Sequence, residues 1–83
     1  MNRQKQSECE ENMEKKMNAV MIGFKLRELR GDRSQVEVAK ALGISQSALH
    51  MYETGNRIPK DDNKIILARY YHKGIEELFY SFD

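Results

Sequence analysis

Between Ser34 and Glu53 the apolar positions recur twice at helical spacing, with one tight interruption. Val38, Ala39 and Leu42 share a face in the first run, and Ile44, Ala48, Leu49 and Tyr52 share a face in the second. Only Gly43, Ile44 and Ser45 separate the two. Gly43 falls where the backbone needs a positive φ to end a helix, and Ser45 is a natural N-cap for the next. Ser34 followed by Glu37 reads as a capping box at the start of the first run, and Ala39 sits where two helices must approach closely. The pattern predicts two short helices, about Gln35 to Leu42 and Gln46 to Thr54, joined by a tight turn and closed by Gly55. That is a helix-turn-helix.

The same reading extends in both directions. A preceding helix is expected from Asn18, as N-cap, to Arg30, with Gly31 left-handed and Ala19, Ile22, Leu26 and Leu29 as its apolar stripe. A fourth helix is expected from Lys60 to about His72, with Pro59 at its start and Asp61 and Asp62 favouring its dipole. Its inward face would be Leu67, Ala68 and Tyr71, helped by Ile65 or Ile66. After Gly74 a short fifth helix, Ile75 to about Tyr80, would present Ile75, Leu78 and Phe79 to the core. No strand pattern competes, so the fold class is all-α. Residues 1–17 carry four bases and four acids without an apolar stripe, and read as a disordered or frayed helical extension to a domain spanning 18–83.

Composition narrows the class of protein. Eighty-three residues make one small domain, so partners or dimer contacts matter to its stability. No apolar run approaches a membrane span or the core of a secretory signal, which makes a soluble, cytoplasmic protein the expectation. The single cysteine, Cys9, stands among Glu8, Glu10 and Glu11, which disfavour a reactive thiolate. Two histidines, His50 and His72, with that isolated cysteine assemble no metal site, and no phosphate loop or acid/base pair is evident. Neither enzyme nor cofactor is expected. Net charge is only +1, but its distribution is uneven. From Asn18 to Ile58 the bases Lys25, Arg27, Arg30, Arg33, Lys40 and Arg57 outnumber the acids Glu28, Asp32, Glu37 and Glu53 by two, whereas Pro59 to Asp83 has one acid in excess. The positive bias falls on the half that holds the helix-turn-helix.

The chain resembles a known family over roughly Met21 to Phe79: the phage-repressor-like helix-turn-helix domains of Cro/C1 or XRE type. The resemblance rests on Ile22-Gly23, on Lys25 to Arg30, on Ser34-Gln35, on Val38 to Ser47, and on Tyr52-Glu53 ahead of Gly55-Asn56-Arg57-Ile58-Pro59. Ile75 to Phe79 is similar to the family's closing helix. Two departures stand out: the connection from Arg30 to Ser34 is about two residues shorter than is common, and Lys73-Gly74 replaces an apolar residue and a serine cap.

The resemblance implies a five-helix lambda-repressor-like fold whose third helix enters the major groove of double-stranded DNA. On that basis Gln46 is the first candidate for base contact, because its amide matches the N7 and N6 edge of adenine. Ser47, His50 and Met51 join it, Met51 against a thymine methyl. Gln35, Arg33, Asn56, Arg57 and Lys60 are candidates for phosphate contact. Arg30 and Glu53, by the family pattern, form an internal ion pair and are structural, as are Ala39 and Gly43. The expected function is a sequence-specific transcriptional regulator, a repressor acting as a homodimer on an inverted repeat. The alternative is a module that binds a regulatory protein partner on the same fold, as an antirepressor or toxin–antitoxin component would. Tyr70, Tyr80 and Phe82 are candidates for a subunit contact.

Overall fold

The computed structural model describes residues 17–81, and among these it is entirely helical apart from turns. Helix α1 covers residues 17–30. It is followed by α2 (Gln35–Leu42), α3 (Gln46–Thr54), α4 (Asp61–Tyr70) and α5 (Ile75–Phe79). Residues 1–16 of the N-terminal extension and Phe82 lie outside the described residues, whereas Met17, expected in that extension, is already part of α1.

Local chemistry sets most of the boundaries. Ser34 caps α2, its Oγ accepting from the Glu37 N–H at 3.0 Å, and Ser45 caps α3 in the same way through Ala48. Gly31, Gly43 and Gly55 all have positive φ, closing α1, α2 and α3. Residue 17 is already helical, so Asn18 lies inside α1 and is not its cap. Pro59 is buried just ahead of α4, and Lys60 takes the cap position, so the helix begins one residue later than expected. At its other end α4 stops at Tyr70. The Lys73 N–H reaches back to the Ala68 carbonyl at 2.9 Å and the His72 N–H to that of Arg69 at 3.2 Å. This closing turn puts His72 at φ 58°, where glycine is the usual occupant.

The core is continuous through all five helices. Ile22 and Leu26 of α1, Val38, Ala39 and Leu42 of α2, and Leu49 and Tyr52 of α3 meet Leu67, Ala68 and Tyr71 from α4 and its end, with Leu78 and Phe79 of α5. α2 packs on α3 and on α4, and α4 on α5. Ile75, expected inside, is exposed, and so are both Ile65 and Ile66, of which one is expected to turn inward. The place one turn before Leu67 and Ala68 belongs instead to Lys64. Its Nζ lies over the Phe79 and Tyr80 rings and bonds the Tyr80 hydroxyl at 2.8 Å, so the four-carbon stem fills an apolar position while the charge stays wet. Ile75 opens a helix of only five residues, which turns Leu78 and Phe79 inward and leaves its first residue outside.

Candidate nucleic-acid interface

With Ser45 fixing the start of α3, Gln46 and Ser47 stand exposed on its first turn and His50 and Met51 on the next. Gln35 opens α2. These five residues line one open recess of about 400 Å³. No carboxylate of the described residues borders it. Two acids lie two residues from it in sequence: Glu37 is exposed on α2 and is not among its lining residues, and Glu53 is turned into the protein, where Oε2 accepts from Arg30 Nε at 2.8 Å and Oε1 from Gln35 Nε2 at 2.9 Å. Gln35 Nε2 also lies 3.5 Å from His50 Nδ1. The Gln35 amide thus ties α2 to α3, and one of its two N–H groups is not free for a phosphate. The N–H groups of the first turn of α2 have no partner within their helix; that of Glu37 is taken by Ser34.

The flanking candidates divide. The Asn56 and Arg57 N–H groups both bond the Met51 carbonyl, at 3.0 and 3.3 Å, which folds this loop over the C-terminal end of α3. Asn56 Nδ2 donates to Thr54 Oγ1 at 2.8 Å, and Arg57 and Lys60 are exposed. Arg33 behaves differently from the other phosphate candidates. Its guanidinium donates to the carbonyls of Arg30 at 3.2 Å and Leu29 at 2.8 Å and to the Tyr70 hydroxyl at 3.1 Å, and it stacks 5.3 and 5.5 Å from the Tyr70 and Tyr71 ring centres. It closes the C-terminus of α1, whose exposed carbonyls attract a cation, and locks that end to α4.

A profile of the family described as helix-turn-helix matches residues 25–78. The chain belongs to the Cro/C1-type helix-turn-helix family. It is also 37% identical over 60 residues to a protein named as the cryptic phage CTXphi transcriptional repressor RstR of Vibrio cholerae, a match covering 70% of this chain and 54% of the relative. The chain therefore spans about half the length of that relative. No solved structure matches it significantly.

What holds this helix-turn-helix in place is a set of contacts from α1. The Arg30–Glu53 bond joins the end of α1 to α3, and it raises the Arg30 pKa further above its ordinary value, with burial opposing in part. In the sequence Gly23 figures only as part of the family resemblance, without a role in packing. A Cβ there would come within 2.4 Å of the Glu53 carbonyl oxygen and 2.7 Å of that of Tyr52, so α1 lies directly on the last turn of α3. Glycine in the middle of an otherwise favourable helix was the available signal. Lys25 is a second such residue: its Nζ donates to the carbonyls of Glu77, at 2.9 Å, and Ser81, joining α1 to the end of α5. Asn63 Nδ2 bonds the buried Tyr52 hydroxyl at 2.8 Å, tying α4 to α3. Among the described residues no group of three or more His, Cys, Asp or Glu is placed to hold a metal ion, and no helix is long and apolar enough to cross a membrane.

Proposed function

We propose that this chain is a cytoplasmic transcriptional regulator, a repressor that binds double-stranded DNA sequence-specifically as a homodimer. The observation that carries the reading is the recess shared by Gln35, Gln46, Ser47, His50 and Met51, which no carboxylate of the described residues lines. A carboxylate facing phosphates would weaken binding; of the two acids close in sequence, Glu53 is buried under two hydrogen bonds and Glu37, exposed on the first turn of α2, does not line the recess. Gln46 presents its amide donor and acceptor to adenine, worth about 1–3 kcal/mol of discrimination, with Ser47 and Met51 beside it. His50 lies against Gln35 at the edge of this group. Phosphates are held by the N-terminus of α2 and by Asn56, Arg57 and Lys60. Arg33 ranks behind them, because three of its five N–H groups are engaged within the domain and two are left for a phosphate. Two copies are required because one recognition helix reads too few base pairs, and half-site centres about 34 Å apart follow from the geometry of the groove.

The relative named as a phage repressor supports the repressor reading. The reading as a protein-binding module is less favoured, because four of the five residues lining the recess are polar. The test is fluorescence anisotropy with DNA flanking the protein's own gene, in the presence of random-sequence competitor and over a salt series, for wild type and Gln46→Ala. Competitor-resistant binding that Gln46→Ala weakens chiefly on the specific site is the expected result. Salt-sensitive binding without sequence preference on any tested fragment would move the protein-partner reading ahead.

A further inference from the structure

Helix α1 is apolar on two faces. Ala19, Ile22 and Leu26 form the buried one, while Met17, Val20, Met21 and Phe24, spaced i, i+3, i+4 and i+7, form a second that faces solvent. Their exposures are 64%, 58%, 37% and 61%. Among the described residues nothing covers these four large apolar side chains. Against the stripe runs a groove of about 390 Å³ between α1 and α5, whose apolar lining is Met21, Phe24, Leu29 and Leu78. We propose that two copies of this chain pair through the outer face of α1, the Phe24 ring of each entering the groove between α1 and α5 of the other.

Two features select a second copy as the occupant. The projecting stripe and the groove share Met21 and Phe24, so Phe24 can both enter a partner's groove and border its own, which is what a two-fold interface requires. The rim is charge-balanced, with Lys25 and Lys73 against Glu28 and Glu77, and Lys73 Nζ lies 3.8 Å from Glu77 Oε1. A strongly acidic or basic partner would meet like charge on such a rim; a surface of the same composition would not. The face shares no residue with the recess at α2 and α3, so pairing leaves Gln46 uncovered. The proposal takes from the proposed function the need for a second copy and supplies the surface that meets it.

Sedimentation equilibrium of the full chain tests it, for wild type, Phe24→Lys, Met17→Lys and Ile65→Lys, each checked for folding by circular dichroism. Phe24 and Met17 are exposed in the monomer, so their substitution leaves the fold intact. The expected result is a wild-type dimer weakened about tenfold or more by Phe24→Lys and Met17→Lys and unaffected by Ile65→Lys, an exposed apolar site on α4. A wild type that stays monomeric into the millimolar range overturns the pairing, as does a dimer that Ile65→Lys disrupts and Phe24→Lys does not. Neither result touches the effect of Gln46→Ala on DNA. Conversely, Phe24-dependent dimers that bind no specific DNA would overturn the repressor reading and leave this interface standing.

Discussion

Arg30 meets Glu53 through a 2.8 Å bond in which the two partners are unequally placed: the carboxylate side chain is 1% exposed and the guanidinium side chain 20%. The inequality makes the two possible deletions different. Arg30→Met strands a buried carboxylate with only Gln35 as partner, and about 3–5 kcal/mol is expected from breaking such a pair. Glu53→Met leaves an arginine that can turn to water, so its cost is smaller. Urea denaturation of both single variants and the double variant checks this, the double costing less than the sum of the two. Equal costs for the singles would mean that the carboxylate finds water when Arg30 is gone.

Gly23 is where α1 and α3 touch backbone to backbone. A methyl group there meets two main-chain oxygens, which cannot swing aside as a side chain would, so Gly23→Ala forces the helices apart. The expected loss is about 1–3 kcal/mol, and a domain of this size loses about 4–8 °C of Tm per kcal/mol. Gly74→Ala is the control, since nothing lies within 4 Å of its Cβ position and its φ is −72°; its cost should stay under about 1 kcal/mol. Thermal melts of the two variants decide. Because Glu53 closes this same turn, Gly23→Ala should also weaken DNA binding by disturbing α3.

The contrast between Ser34, Gly43, Ser45 and Gly55 on one side and Arg33 and Lys64 on the other shows which parts of the fold were legible in the sequence. A cap oxygen acts on an N–H three residues away, and a left-handed turn is a property of one residue, so both are written locally. Arg33 in a loop reads as a phosphate ligand alone, and its second role, closing the end of α1 against Tyr70, 37 positions further on, depends on the folded chain. Lys64 reads as surface because a pattern of apolar and polar letters hides the stem behind the charge. The recess residues were legible as a helix start plus a family resemblance, but the inward turn of the Gln35 amide was not, since it depends on where Glu53 arrives in three dimensions. The outer stripe of α1 escaped for a related reason. Periodicity identified one apolar face and gave no reason to look for a second.

Arg57 and Gln46 should be separable by salt. Arg57, exposed in the loop folded over the end of α3, is proposed to meet a phosphate, which carries no sequence information. Arg57→Ala should then weaken specific and random DNA to the same degree and reduce the slope of log affinity against log salt by about one. Gln46→Ala should leave the slope unchanged and narrow the gap between specific and random sites. An Arg57→Ala variant with unaltered affinity for both would remove this residue from the interface.

Tyr71 carries the one buried side-chain polar atom without a hydrogen-bond partner among the described residues, its hydroxyl. Burial, with the Glu53 charge adding to it, pushes its pKa up to about 12 from 10.0. The folded state therefore holds the phenol proton more tightly than the unfolded chain does. Its contribution is whole below pH 10 and is lost as the pH rises from 10 through 12, by about 2–3 kcal/mol in all. Tyr71→Phe keeps the ring, removes the unpaired group and abolishes that dependence. It should stabilise the domain by about 1 kcal/mol at pH 7, and its advantage should widen steadily between pH 10 and pH 12. Lysine titration in the same range affects wild type and variant alike, so the difference between their urea midpoints isolates Tyr71. A variant less stable than wild type at pH 7 would show that the hydroxyl is satisfied, by water or by movement of the Arg30 and Glu53 side chains nearby.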